Sequence, residues 1–264
     1  MERTLPDLIA DELIARIYIG EYKPGHRLPA ERGFADALGV DRTSLRMALR
    51  TLNRMNLIQS VRGSGITVMD YRKHCGLDFL AAIFAIPQLE LGSRIKLEGL
   101  EAFNSFMPGL LYESIKGSFD AKMAETIRDI LQKQMVLLNA DEITSEIRDE
   151  LASLELKMQE FFLYHRRSIM AGLMANSSRA MRESVIGEIF ETIDIRDHVY
   201  FHQKMLFDVG TGQLPINKLV GYYHSHCEDF TRPLRERYMR EEVKPRLLAS
   251  PLESALGRRE AVAS

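Results

Sequence analysis

The stretch Leu38-Gly-Val-Asp-Arg-Thr-Ser-Leu-Arg-Met-Ala-Leu-Arg-Thr-Leu52 carries the signals that decide the fold of the amino-terminal part of the chain. Gly39 is suited to end one helix, and Asp41 is a suitable N-cap for the next. Four apolar residues fall on one face of that next helix: Leu45, Ala48, Leu49 and Leu52. Four arginines are available to another face: Arg42, Arg46, Arg50 and Arg54. The stretch therefore predicts two helices joined by a short turn.

The sequence on either side predicts an earlier helix and a β-hairpin. Residues 4–18 place apolar side chains at helical spacing before Gly20, and the helix that ends at Gly39 begins near Pro29. Residues 57–61 and 66–68 are typical of two short strands around a glycine-containing turn. Two helices joined by a short turn and followed by a hairpin form a winged helix-turn-helix, whose second helix enters the major groove of DNA.

The rest of the chain shows helical patterns without comparable strand signals. Helices are expected over residues 76–86, 93–115, 119–138, 142–172, 177–200, 202–211 and 215–240. The periodicity ends after Pro245. We therefore predict a mainly α protein with a winged helix-turn-helix domain over residues 1–72, an all-α helical bundle over 73–245 and a flexible tail over 246–264.

The formal net charge of −2 argues, taken alone, against a nucleic-acid partner, because phosphate binding usually requires a basic surface. The charge is unevenly distributed. Residues 1–73 contain 12 Lys and Arg against 9 Asp and Glu, a net charge of +3, whereas the remaining residues carry −5. The amino-terminal part is therefore compatible with a DNA partner, and tight binding is expected to require two copies acting together.

Composition and absent motifs argue against several other classes of protein. The two cysteines form no CxxC pair, so neither a disulfide framework nor a cysteine-rich zinc site is expected. No apolar run approaches the roughly 20 residues of a membrane helix, and the amino terminus has no signal-peptide pattern. We expect a soluble cytoplasmic protein without a membrane partner. GxSxG, HExxH and P-loop patterns are absent from the sequence, so we expect neither enzymatic activity nor a cofactor.

Three separated motifs resemble the amino-terminal domain of GntR-type bacterial transcription regulators. They are Gly25-His-Arg-Leu-Pro-Ala-Glu-Arg32, the stretch from Leu38 to Leu52, and Leu57-Ile-Gln-Ser-Val-Arg-Gly-Ser-Gly-Ile-Thr-Val68. The resemblance covers about residues 4–70 and implies a transcription regulator that binds a double-stranded DNA operator as a homodimer. It places the DNA contacts on helix two, the start of the recognition helix and the hairpin tip: Arg32, Asp41, Arg42, Thr43, Ser44, Arg46, Arg62 and Gly63. Asp41 stands where Ser or Thr is more usual, so its alternative role is helix capping.

The helical part resembles the FadR-like branch of the same family, which includes regulators of fatty acid metabolism. The likeness rests on Cys75-Gly-Leu-Asp-Phe-Leu80, and on Phe201-His-Gln-Lys-Met205 followed by Gly212 and His224. It implies a small effector, a fatty acyl-CoA or a related acid, bound in the helical domain. The candidate effector-binding residues are Arg94, His202, His224, Tyr223 and Phe230. For the aromatic candidates, a place in an ordinary bundle core is the alternative interpretation.

Two further alternatives concern the helical domain. Many members of the branch bind a divalent metal through an acidic residue, a histidine four residues later and two further histidines, and the metal then receives an organic-acid effector. His202 and His224 match the two later histidines, but neither His165 nor Ser168 has an acid four residues before it. We therefore expect no metal, and the residues that could bind one are His198, His202, His224 and His226. The other alternative is a dimerisation domain without a ligand.

Overall fold

The computed structural model describes residues 3–61, 65–115, 120–165 and 169–253. These residues form two compact units. The first contains the residues up to Gly92 together with those from Val243 onward, and the second is Ser93–Glu242. The prediction of a mainly α protein, with a winged helix-turn-helix followed by a helical domain, is confirmed.

Over the residues that the structure describes, the first unit contains a three-helix core and two small sheets. Its elements are α1 (Leu5–Tyr18), β1 (Arg27–Leu28), α2 (Glu31–Leu38), α3 (Arg42–Arg54), β2 (Ile58–Val61), β3 (Gly65–Val68), α4 (Tyr71–His74), α5 (Leu77–Ala85), β4 (Leu89–Glu90) and β5 (Arg246–Leu247). Strands β1, β3 and β2 form an antiparallel sheet in that order, with Arg27 opposite Thr67 and Ile58 opposite Val68. The hairpin of β2 and β3 is the predicted wing.

The local signals of the turn between α2 and α3 act as the sequence predicts. Gly39 ends α2 with a φ of 64°, in the left-handed region that glycine adopts without strain. The Asp41 carboxylate then accepts a hydrogen bond of 2.8 Å from the backbone N–H of Ser44 and caps α3. Helix α3 packs against α1, and Leu13, Leu45 and Leu52 in this packing are fully buried. The turn and the core together fix how α3 presents its other face.

The boundaries of the two units differ from those predicted. Residues 73–92, assigned from the sequence to the helical domain, belong to the first unit and form α4, α5 and β4. A Cβ atom on Gly92 would lie 2.8 Å from Cδ of Pro245, so glycine permits this close approach at the end of the segment. The chain therefore enters the helical unit at Ser93, about 20 residues later than predicted.

The segment after Pro245 is also not a flexible tail over the part that the structure describes. Strand β5 pairs with β4, with Leu247 opposite Leu89, and Leu252 is only 3% exposed. The Ser250 hydroxyl donates a 2.6 Å hydrogen bond to the buried carboxylate of Glu12 on α1. Strand pairing, apolar burial and a partly buried hydrogen bond outweigh the entropy of a free segment. Residues 254–264 of the predicted tail lie outside the described residues.

The described residues of the second unit form six helices. They are α6 (Ser93–Ile115), α7 (Ala121–Leu138), α8 (Ser145–His165), α9 (Ile169–Thr192), α10 (Arg196–Gly210) and α11 (Ile216–Arg240). The most extensive packing joins α6 to α11, α8 to α9, and α7 to α10, around buried side chains such as Leu100, Leu131 and Phe190. Among the helices that the structure describes, none has the length and apolar character needed to cross a bilayer.

Candidate functional site

The exposed face of α3 is the candidate DNA interface in the first unit. Leu45, Ala48 and Leu52 bury the opposite face, so Arg42, Arg46 and Arg50 all extend into solvent. A helix anchored along one side with its polar side exposed has the shape and chemistry to enter a major groove about 12 Å wide. Arginine is the side chain that pairs bidentately with guanine or with a phosphate.

The start of α3 provides a cap and small polar groups. The side-chain and backbone groups of Ser44 hold the pKa of the Asp41 carboxyl below its ordinary value, because both donate hydrogen bonds that favour its charged form. Asp41 therefore acts as the N-cap, the alternative role that the sequence left open. Thr43 is exposed and Ser44 is partly exposed at this helix start, where backbone N–H groups and short hydroxyls suit a phosphate oxygen.

Arg46 is held by an acid on the neighbouring helix. Its Nε and Nη2 atoms donate hydrogen bonds of 3.1 and 2.8 Å to the same Oε2 atom of Glu31, the first residue of α2. Both side chains border a groove of about 540 Å³ between α3 and the wing, which Arg50, Arg54 and Ser60 also line. The groove thus combines three arginines with one carboxylate beside the exposed face of α3.

The remaining predicted DNA contacts are one residue on α2 and two residues between β2 and β3 in the sequence. Arg32 is exposed on the first turn of α2, next to Glu31. Arg62 and Gly63 lie outside the described residues, so their predicted contacts stay predictions. The strands that flank them, β2 and β3, pair from Ile58 opposite Val68 to Val61 opposite Gly65.

An internal cavity of about 40 Å³ is the candidate ligand site of the second unit. Its wall is mainly apolar and includes Met107, Met158 and Met205. Four polar side chains also line it: Glu155, Gln159, His202 and Tyr223. A water molecule occupies roughly 10–15 Å³ on this scale, so the cavity has room for a few water-sized groups. Concave apolar walls with a few convergent polar groups are typical of small-molecule sites.

The polar end of this cavity is a buried carboxylate–histidine cluster. Glu155 Oε2 lies 3.8 Å from His198 Nε2 and 3.9 Å from His202 Nδ1, and all three side chains are buried. The ligand atoms of the three residues lie within 4.8 Å of one another. Within the described ranges, neither Glu155 Oε2 nor His202 Nδ1 has a hydrogen-bond partner. Buried polar atoms of this kind call for a missing partner such as water, an ion or a ligand group.

The surrounding residues orient the cluster. Gln159 donates a 3.2 Å hydrogen bond to the other Glu155 oxygen, Oε1, and accepts one of 3.3 Å from the buried Arg182. His198 Nδ1 and His226 Nε2 share a 2.9 Å hydrogen bond. Phe230 stacks on the His198 ring at 4.3 Å between centroids. These outer contacts fix the carboxylate and the His198 ring in place, as second partners do around metal ligands.

Burial and the neighbouring rings set the protonation states of the cluster. Burial lowers the pKa of His202 to about 3, and it lowers the pKa of His226 to about 3 as well. Burial alone would raise the pKa of the Glu155 carboxyl, but the adjacent imidazoles of His198 and His202 outweigh it and hold that pKa at about 2. At neutral pH Glu155 is therefore anionic and His202 is uncharged, which is the protonation state in which these two side chains bind a cation.

The structure brings only part of the predicted effector set to this cavity. His202 and Tyr223 line it, and Phe230 reaches the cluster through its ring contact with His198. Arg94 does not: its side chain is 85% exposed and forms an i,i+4 ion pair of 2.9 Å with Glu98. His224 is exposed, so among the candidate metal ligands it stands apart from His198 and His202.

Sequence reasoning missed Glu155 and Gln159. The family pattern places the acid four residues before His165 or Ser168, at position 161 or 164. The acid that faces His202 is Glu155, at least six residues earlier on α8. The available signal was the i,i+4 spacing of an acid and an amide, Glu155 and Gln159, inside an otherwise apolar helix face. The amide stands at the position where a metal-binding pattern of this type has a histidine.

Comparison with known proteins gives the family of the amino-terminal helix-turn-helix domain within the first unit. Residues 6–68 match the model of the bacterial regulatory proteins of the gntR family. The HTH-type transcriptional regulator Mce2R of Mycobacterium tuberculosis is 38% identical over 78 residues, 30% of this chain and 32% of the relative, so the match spans about a third of that protein. The fatty acid metabolism regulator protein of Vibrio parahaemolyticus is 22% identical over 231 residues, covering 76% of this chain and 82% of the relative.

A solved structure extends the likeness in fold to both units. The structure of Lar, which controls expression of the Listeria monocytogenes agr system, matches with a TM-score of 0.55 at 14% identity. The match covers 92% of this chain and 100% of Lar. Together with the helix-turn-helix geometry and the family match over residues 6–68, these findings identify the amino-terminal domain of this chain as a helix-turn-helix domain of the GntR family.

Proposed function

We propose that this chain is a sequence-specific transcription regulator that binds a double-stranded DNA operator as a homodimer. The observation that carries the proposal is the exposed arginine face of α3, anchored by a buried core inside a GntR-family domain. Arg42 adds a particular argument. It stands in the first turn of α3, where the helix dipole disfavours a cation, so an external anion is the simplest reason for an arginine there.

Replacing Arg42 by alanine tests the DNA interface. We expect the variant to bind a duplex, selected from a randomised library by the wild-type chain, about 10-fold more weakly, because one arginine contact to DNA contributes about 1–3 kcal/mol. Fluorescence anisotropy at several salt concentrations measures the affinity and separates a phosphate contact, which lowers the salt slope, from a base contact. Lys73→Ala, which removes an exposed positive charge from α4, is the control. Equal affinity of the Arg42 variant and the wild type would contradict the placement of the interface.

We further propose that a small acid, a fatty acyl-CoA or a related compound, controls DNA binding from the helical unit. The similarity to a protein named fatty acid metabolism regulator supports this class of effector. A groove of about 710 Å³ between α7 and α10 contains Arg128, Gln132 and Gln203, and it shares Leu206 with the internal cavity. A ligand larger than a few atoms would occupy this groove and reach the cavity past Leu206. An effector changes DNA affinity only if it binds one geometry of the dimer better than the other.

The carboxylate–histidine cluster favours a second candidate, a divalent metal that receives the acid. Glu155, His198 and His202 offer one oxygen and two nitrogen ligands, and the lowered pKa values of Glu155 and His202 leave these two in the deprotonated state that a metal requires. Three protein ligands leave a coordination position open, which a carboxylate oxygen of an effector fills well. The Gln159 and His226 contacts to Glu155 and His198 are the outer support that such ligands usually have.

A thermal-shift experiment with zinc chloride tests the metal candidate. A ligand that binds only the folded state at 100 times its dissociation constant stabilises that state by about 2.7 kcal/mol, so the melting temperature of the wild type should rise by several degrees. Glu155→Gln keeps the shape of the side chain but removes its charge, and we expect it to lose most of the rise. Glu150→Gln, an exposed acid on the same helix, is the matched control and should keep it. A full shift in the Glu155 variant would rule out this cluster as the metal site.

A further inference from the structure

We infer that Glu31 is a specificity-determining positioning residue, which fixes the Arg46 guanidinium so that this arginine reads a base pair instead of neutralising a phosphate. The inference rests on the proposed DNA-binding function. It concerns the contact between the first residue of α2 and the second turn of α3, where Glu31 Oε2 accepts hydrogen bonds from both Nε and Nη2 of Arg46.

The stability of the fold does not account for this contact. The Arg46 side chain is 52% exposed and the Glu31 side chain is 36% exposed, and ion pairs at that exposure contribute little to stability. A carboxylate beside the DNA-facing surface also has a cost, because it repels phosphates and cancels one of the arginine charges that attract them. A residue that gains little stability and weakens non-specific attraction is better explained by a role in recognition.

The geometry indicates what that role is. An arginine side chain has five N–H donors, and the Glu31 contacts use one on Nε and one on Nη2. The outer edge of the guanidinium keeps its Nη1 donors and one Nη2 donor, which is the edge that pairs bidentately with O6 and N7 of guanine. Because Glu31 lies on a helix and binds two nitrogens, it restricts both the rotation and the reach of the guanidinium before DNA arrives.

The backbone supports this fixed geometry from both sides. Glu31 begins α2, whose other end is set by the left-handed Gly39, and Arg46 lies five residues after the Asp41 cap of α3. The side chains of Phe34 on α2 and Leu45 on α3 are buried in the core and anchor the two helices. The Glu31–Arg46 pair therefore joins two rigid elements and borders the groove beside the wing, instead of following a mobile loop.

The experiment compares Glu31→Gln with Asp36→Asn in the full chain. Asp36 is an exposed acid near the other end of α2, so its replacement removes the same charge without touching Arg46. The wild type first selects duplexes from a randomised library. Affinities for a selected duplex and for a scrambled duplex of equal length are then measured as a function of salt, and melting temperatures check that each variant is folded.

We expect Glu31→Gln to lower the ratio of specific to scrambled affinity by about 10-fold, within the range that one bidentate base contact supplies. The released arginine should also steepen the salt dependence for the scrambled duplex by up to about one unit of slope. Asp36→Asn should raise both affinities together and leave their ratio unchanged. An unchanged ratio in the Glu31 variant overturns the inference while leaving the proposed function standing. Failure of the wild type to enrich any sequence overturns the proposed function itself.

Discussion

Replacing Leu52 by alanine is expected to lower the free energy of unfolding of the first unit by about 3 kcal/mol. Leu52 is fully buried on the face of α3 that packs against α1, and removing a buried leucine side chain costs about 2–5 kcal/mol in lost burial and cavity formation. The effect is large because it acts on the element that carries the candidate interface. Urea denaturation followed by far-UV circular dichroism measures it, and hydrogen exchange of peptides from α1 and α3 assigns it to this unit.

Met47→Ala on the same helix is the matched control for this prediction. Met47 is 51% exposed, so its truncation should change the free energy of unfolding by less than about 0.5 kcal/mol. A loss in the Leu52 variant no larger than in the Met47 variant would mean that α3 is not anchored by its buried face. The orientation of Arg42 and Arg46 would then need another explanation.

The amino-terminal domain could be predicted from sequence because its signals are local. Gly39, Asp41 and the apolar spacing from Leu45 to Leu52 each act within one turn of their own position. Strand β1 was missed because Arg27 and Leu28 form a strand only by pairing with Ile66 and Thr67, about 40 residues later in the chain. Short strands of this kind depend on tertiary contacts that periodicity does not contain.

Helix boundaries in the second unit show the same limit. The spacing predicts one helix over residues 177–200, whereas α9 ends at Thr192 and α10 begins at Arg196. Ile193 and Ile195 continue the apolar pattern across the break, so periodicity alone predicts an uninterrupted helix there. The residue that indicates the break is Asp194, whose carboxylate accepts a 3.0 Å hydrogen bond from the backbone N–H of Arg196 at the start of α10.

The candidate ligand site depended still more on tertiary structure. His202 was identified by its resemblance to a family pattern, but its carboxylate partner lies on α8, in a different part of the sequence. From sequence, an acid on a helix is expected to be exposed to solvent. In the structure, the packing of α8 with its neighbours buries Glu155 beside His198 and His202. Arg94, which the resemblance favoured, is exposed and pairs with Glu98 away from the cavity lining, so its effector role stays a prediction.

Lowering the pH from 6.5 to 4.5 is expected to reduce the free energy of unfolding of the helical unit by about 2 kcal/mol through His202 alone. Burial holds the pKa of His202 at about 3, against an ordinary value of 6.5. Between these values the unfolded chain binds one more proton than the folded chain, so stability is present above pH 6.5 and is lost as the pH falls towards 3. His226, whose pKa is lowered in the same way, acts in the same direction. Glu155 adds its own loss only below about pH 4.5.

Comparing His202→Gln with the wild type isolates this contribution. Urea denaturation at pH 6.5 and 4.5, with EDTA present to remove metals, should show a pH-dependent loss about 2 kcal/mol smaller in the variant, because its side chain has no proton to bind. His224→Gln removes an exposed imidazole and should retain the wild-type loss. Equal losses in all three chains would show that the His202 imidazole is not buried in its neutral state.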